Sequence, residues 1–382
     1  MLLLGVAACR GTMPWMTSRV VVSGHQITNT DCRNAICQHN ENTDLAVWND
    51  AIWLVHRTAR SQILGPNSSL HVYRSTDRGQ TFAPVARIEA PTDRDIRDPH
   101  FYVVGGQLWI KALTRLPVVS LRDSNVDTIT VAFRSSDGIH WQQPVVIGPV
   151  GWSFWRVRER AGTYYSAAYH DGDTEVALFT SKDGLTWQRG ARIYDVAADT
   201  PLETELTFMP SGRVLALVRM DGTDAELFGV KGRLRTKVCW SQPPYDRFDC
   251  PQELIGYRLD GPLMFFAGNR LFVVARKHLA GGRKRTALYE LRGDLDGGGA
   301  LGIKEWTELP SAGDTSYAGV ALAEPLRAVV SWYSSDRKGD EPWMLGVLDR
   351  SDIWIANIDL GQLRGSEAPK TASICKSHAS IR

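Results

Sequence analysis

The chain lacks a charge bias: across 382 residues, 44 Lys and Arg stand against 42 Asp and Glu, a net charge of +2. A nucleic-acid binder gathers basic residues on one surface, and this balance gives no electrostatic case for such a partner. Long apolar helical patterns are missing too, and beyond the N-terminus no run is long enough to span a membrane as a helix. Cysteine is scarce, at six, and of its close pairs, Cys32 with Cys37 and Cys239 with Cys250, the second has a gap longer than is usual for zinc ligands. No spacing in the sequence implies a metal or a cofactor. The two pairs read instead as local disulfides, the first stapling a loop and the second flanking the turn Gln242-Pro243-Pro244-Tyr245, which suits an exported protein.

Turns, glycine and tryptophan are what the chain has in quantity. Thirteen Trp and 34 Gly, with 43% hydrophobic residues, suit many short strands joined tightly. One motif recurs three times, as Ser75-Thr76-Asp77-Arg78-Gly79-Gln80-Thr81-Phe82, Ser135-Ser136-Asp137-Gly138-Ile139-His140-Trp141 and Ser181-Lys182-Asp183-Gly184-Leu185-Thr186-Trp187. Its physical sense is a tight turn: the Asp carboxylate accepts backbone N–H groups, the Gly takes the positive φ, and the aromatic folds back over both. A single copy arises by chance, whereas three with the same closure do not. Residues 75 to 82 resemble the Asp-box of the sialidase superfamily in full, and the other two resemble the variant one residue shorter. The resemblance implies a β-propeller with these turns on its outer rim, between the third and fourth strands of a blade, where they are structural.

Runs of period-2 hydrophobicity between turn signals give units beginning near Asn42, Arg97, Trp152, Glu203, Asp260 and Ser316, which makes six blades at roughly the 50-residue propeller period. The last unit, 316 to 360, is one strand short, while Arg19-Val20-Val21-Val22-Ser23-Gly24-His25-Gln26-Ile27 is a strand without a blade. Pairing the two closes the ring and removes both exposed edges. The expected architecture is therefore an all-β, six-bladed propeller over 17–360, preceded by a segment 1–16 and followed by a mobile polar tail over 361–382. The segment starts as Met1-Leu2-Leu3-Leu4-Gly5-Val6-Ala7-Ala8-Cys9, which reads either as a bacterial lipobox with Cys9 as the lipid-bearing residue or as an ordinary apolar end. Export, a single propeller domain and a monomeric state are the expectations.

Propeller inner strands converge on a central channel, so residues at blade starts and at the ends of second strands gather on one face. Blade starts carry Asp44, Asp98, His100, Trp155, Glu203, Glu205 and Tyr317, and second-strand ends carry Arg57, Arg115, His170, Arg219 and Arg276. Several Arg beside carboxylates suit bidentate recognition of an anionic ligand such as a sugar carboxylate, and Trp155 offers a stacking face. The sialidase resemblance gives these residues roles. Glu203 and Arg219 match a Glu that opens a blade and the second Arg of a carboxylate-binding triad, Glu205 is a same-face alternative, and Arg276 matches the third Arg. Tyr317, in Ser316-Tyr317-Ala318-Gly319-Val320, resembles the nucleophilic Tyr. The family's Arg-Ile-Pro is absent from blade one, which reads Asn40-Glu41-Asn42-Thr43-Asp44, so Arg57 stands in as first Arg; the loop Thr58 to Ser69, where the family has its acid/base Asp, holds no acidic residue, so Asp98 stands in as acid/base. A glycan or small acidic sugar is the implied substrate. Two other readings stay open: a furanosidase-type propeller hydrolase using Asp44, Asp98 and Glu205, and a sugar-binding propeller without catalysis.

Overall fold

The computed structural model describes residues 13–29, 31–62, 68–91, 93–116, 127–170, 174–223, 234–296, 299–335 and 341–363. A first strand, β1 (Met16–Ser23), precedes the blades. Blade one is β2 (His39–Trp48), β3 (Ala51–Ala59), β4 (Ser69–Ser75) and β5 (Ala83–Glu89); blade two is β6 (Asp95–Val104), β7 (Gln107–Arg115), β8 (Ile129–Ser135) and β9 (Val145–Val146). Blade three is β10 (Trp152–Arg160), β11 (Thr163–His170), β12 (Glu175–Ser181) and β13 (Trp187–Tyr194); blade four is β14 (Pro201–Phe208), β15 (Val214–Met220), β16 (Arg235–Ser241) and β17 (Asp249–Ile255). Blade five is β18 (Asp260–Ala267), β19 (Arg270–Leu279), β20 (Arg283–Gly293) and β21 (Leu301–Leu309); blade six takes β22 (Thr315–Glu324), β23 (Arg327–Ser334) and β24 (Asp352–Asp359). Each sheet has four antiparallel strands, and the fourth place in blade six is filled by β1, in the order β1-β24-β23-β22. The chain is thus a six-bladed β-propeller closed by its own N-terminal strand, with first strands starting within three residues of the positions expected from sequence.

The core is not one mass. It divides into six hydrophobic clusters, each lying between adjacent blades: Trp53, Val55, Ile96 and Ile110 join blades one and two, and Leu54, Tyr73, Val329 and Ile355 join six and one. Both faces of a middle strand are therefore covered, and all nine residues of β3 are buried rather than every second one.

The three Asp-centred turns sit between third and fourth strands. Around Asp137, the N–H groups of Ile139 and His140 both donate to Oδ1 at 2.8 Å, and Gly138 N–H donates to Ser135 Oγ at 2.8 Å. The indole of Trp141 closes the turn on the Gly138 carbonyl at 3.1 Å, and Trp187 does the same on Gly184 at 3.1 Å. Each turn also touches the preceding blade. Gly138 has φ 76°, and a Cβ there would lie 2.2 Å from the Trp53 indole; Gly184 faces Val104 in the same way and Gly79 faces Val329.

Both disulfides, Cys32–Cys37 and Cys239–Cys250, are formed. The stretch expected to begin a tail at Gly361 starts instead with a 3-10 turn over Leu360–Leu363, whose Leu360 and Leu363 are buried against blades five and six. Residues 364–382 and residues 1–12, Cys9 among them, lie outside the described residues, and the last residue of the expected N-terminal segment, Met16, already belongs to β1.

Candidate active site

Every first strand carries a register shift at the same depth. The shifts fall between Glu41 and Thr43, Arg97 and His100, Phe154 and Val157, Pro201 and Thr204, Asp260 and Leu263, and Ser316 and Gly319. A bulge frees a residue from the ladder and re-aims its side chain. Four residues within these bulges, Asn42, Asp98, Glu203 and Tyr317, line one cleft of about 160 Å³, with Arg97, Arg115, Ser153 and Tyr169 among its other walls. Three of the four are left-handed: Asn42 has φ 51°, Asp98 φ 47° and Tyr317 φ 48°. Asn and Asp tolerate that region, but a Tyr there is held by its surroundings. Gly261, at the equivalent place in blade five with φ 54°, leaves room for the Tyr317 ring, since a Cβ would stand 3.3 Å from it.

The hydrogen bonds of the cleft centre on Tyr317, whose hydroxyl donates to Glu203 Oε1 at 2.6 Å. Arg219 Nη1 donates to Glu203 Oε2 at 2.5 Å and to the Tyr317 oxygen at 3.0 Å. The Arg276 guanidinium carbon stands 5.1 Å from the Tyr317 ring centroid. Burial, then the Glu203 charge, push the phenol well above its ordinary range, against the pull of Arg219 and Arg276. The phenol is therefore neutral at rest, with a base already in contact.

Asp98 stands on the same cleft and is bonded by the Asn42 amide. Burial raises its carboxyl to about 6, with Lys111 opposing and Glu203 adding to the rise. Lys111 is wholly buried; desolvation lowers it to about 7, and its Nζ donates to the Phe154 carbonyl at 2.5 Å. A carboxyl and an ammonium near neutrality thus lie within one electrostatic unit.

The remaining expected site residues do not all join them. Arg57 is fully buried and donates to Asp95 at 2.7 Å, to the Ile96 carbonyl at 2.9 Å and to Glu41. It ties blade one to blade two, so the three arginines do not converge on one point. Arg276 is held through Nε by the Thr315 carbonyl at 2.7 Å and through Nη2 by Asp314 at 2.9 Å and Tyr333 at 3.0 Å. Asp44 accepts Arg156 at 2.5 Å and the Phe101 N–H at 2.8 Å; Glu205 is buried against Arg158 and Arg156, and desolvation raises its pKa. Neither is a cleft wall among the described residues, which leaves the carboxylate set Asp44, Asp98 and Glu205 unassembled. His100 and Trp155 are buried edge to face at 4.8 Å, the Trp155 indole donating to the Pro262 carbonyl at 3.1 Å. Burial and neighbouring Arg156 hold the His100 ring neutral. Trp155 supports Tyr317, 6.0 Å away, instead of offering an open stacking face.

Arg97 and Arg115 line the cleft in their place, both paired with Asp95, at 2.5 and 3.8 Å. Both belonged to the blade-start and strand-end sets legible in sequence, whereas Ser153 and Tyr169 carry no mark there. Tyr169 lines the cleft while its neighbour His170, the strand-end residue, packs on Trp152 at 5.1 Å. One residue of strand register separates the two.

No family model and no curated protein matches the chain. Solved structures do. A protein of unknown function from Dyadobacter fermentans matches with a TM-score of 0.66 at 17% identity, over 91% of this chain and 100% of that one. The NanB sialidase of Streptococcus pneumoniae matches with a TM-score of 0.65 at 10% identity, over 88% and 70%. Trypanosoma rangeli sialidase, as a covalent intermediate with 2,3-difluorosialic acid, matches with a TM-score of 0.63 at 12% identity, over 91% of this chain and 59% of that one. The fold is that of the sialidase-like propellers.

Proposed function

We propose that the chain is a glycoside hydrolase that removes a terminal acidic sugar, sialic acid or a relative, from a glycan. The observation that carries this reading is the 2.6 Å bond from a neutral, half-buried Tyr317 to Glu203 on the wall of the cleft. As the Tyr317 oxygen attacks the anomeric carbon, Glu203 takes the phenolic proton and Asp98 gives its proton to the departing glycosidic oxygen. Water then attacks the glycosyl-tyrosine bond, delivering a proton to Asp98 while Glu203 returns the first to the phenolate. A neutral nucleophile avoids bringing an anion against an anionic sugar, the known exception to paired-carboxylate hydrolysis. Arg219 beside the phenol, with Arg97 and Arg115 on the wall, supplies positive charge for the sugar carboxylate. The two disulfides support an extracytoplasmic site of action.

The test is a screen of fluorogenic sialosides, uronides and arabinofuranosides, followed by Tyr317→Phe on whichever is cleaved. Turnover should fall on the order of 10³-fold or more with substrate affinity nearly kept. A 2,3-difluorinated sugar should add one glycosyl mass to the peptide holding Tyr317. Cleavage that survives Tyr317→Phe removes the mechanism, and a folded protein inert to the whole screen favours a binding propeller.

A further inference from the structure

Beside the cleft, where the last blade meets the first, three side chains turn acceptor atoms toward one another. His39 opens β2, Glu41 follows on the same strand, and Asp314 directly precedes β22; all three are buried, at 0%, 1% and 0% exposure. His39 Nδ1 lies 2.8 Å from the Asp349 carbonyl oxygen. A carbonyl only accepts, so Nδ1 carries the hydrogen, and in the neutral ring Nε2 is left as a lone pair. That lone pair faces Glu41 Oε2 at 3.3 Å, while Arg57 occupies Oε1 of the same carboxylate.

Asp314 supplies the third acceptor. Its Oδ1 is fully used, accepting from Arg276 at 2.9 Å, Tyr333 at 3.0 Å and the Trp343 indole at 2.9 Å. Its Oδ2 is buried without a hydrogen-bond partner. Ligand atoms of His39, Glu41 and Asp314 lie within 4.8 Å of one another. Three converging acceptors in a dry interior repel unless a cation lies between them. An imidazole whose N–H is fixed by a backbone carbonyl is the usual posture of a metal-bound His.

We propose that His39 Nε2, Glu41 Oε2 and Asp314 Oδ2 bind one Zn²⁺. One imidazole and two carboxylates suit zinc, with bonds of about 2.0–2.2 Å, better than calcium, which takes about 6–8 oxygens. The ion joins β2 of the first blade to the start of β22 in the last. It is a second closure of the ring, at the channel end of a junction that β1 closes at the rim. Glu41 adjoins the Asn42 bulge and Asp314 lies just before the Tyr317 bulge, so the ion also fixes two walls of the cleft without touching it.

The test needs no substrate. The purified chain is stripped with EDTA, dialysed against ZnCl₂, desalted and assayed for metal by mass spectrometry, alongside thermal unfolding. One Zn²⁺ per chain and a Tm that rises with added Zn²⁺ are expected. Asp314→Asn and His39→Gln should each weaken retention more than about 10-fold and lose the Tm response. Equal retention by both variants places the metal elsewhere and overturns the proposal. So does a folded wild-type chain that keeps no Zn²⁺, whatever the state of His39; ¹⁵N shifts of a doubly protonated His39 would then show that a proton fills the gap.

Discussion

At the scale of single residues, two ionisable groups that the sequence nominates for one site take opposite places. Arg57 and Asp98 both flank inner-strand positions, but Arg57 is sealed between Glu41 and Asp95 whereas Asp98 opens on the cleft. Its carboxyl, raised to about 6 by burial, sets the expected pH profile. The acid must be protonated to act, so kcat/KM should fall about tenfold per pH unit above pH 6. Lys111→Met removes an ammonium that lowers the Asp98 pKa and should move this limb to higher pH; a limb that stays in place, or one that persists in Asp98→Asn, excludes Asp98 as the acid. The linkage has the matching sign. Between roughly pH 4 and 6 the folded chain keeps a proton that the unfolded chain releases, so this group's contribution to stability declines as pH rises across that window.

At the scale of elements, the inner-strand bulge and the Asp-centred turn divide the labour. The bulge aims side chains into the channel, and the turn keys each of blades one, two and three to the blade before it at the rim. Gly138→Ala should cost about 1–3 kcal/mol, because the new methyl meets the Trp53 indole and the backbone is already left-handed. Gly106→Ala is the control: φ is 78° but no atom lies within 4 Å, so only the backbone term of about 1 kcal/mol applies. Equal losses in urea titrations of the two variants would show that the contact between blades carries nothing.

For the whole molecule, stability rests on a closed ring of six interfaces, so closure is the point of greatest leverage. β1 pairs with β24 from Met16 opposite Ile358 to Ser23 opposite Asp352, and Arg19 reaches across to the Gly79 carbonyl at 2.6 Å. Removing residues 13–23 leaves β24 as an open edge. The truncated chain should melt at lower temperature and associate beyond the state of the full chain in light scattering. An unchanged Tm with unchanged mass would mean that the ring closes without β1.

The sequence by itself determined the architecture. Turn chemistry and period-2 patterning are local, so three Asp-Gly-aromatic turns and six strand-start positions are legible without any fold in view. The unpaired strand at Arg19 was legible for the same reason, as was the Tyr317 and Glu203 pair once the resemblance ordered the blades. Tertiary structure alone decided which charged residues face the cleft. Asp98 and Glu203 sit within inner-strand bulges, whereas Asp44 and Glu205 follow theirs in regular strand and Arg57 lies on the second strand of its blade, and a one-residue shift in a strand exchanges its two faces. That choice is made by the fit of each blade against its neighbours, between residues as distant in sequence as Glu203 and Tyr317 or His39 and Asp314.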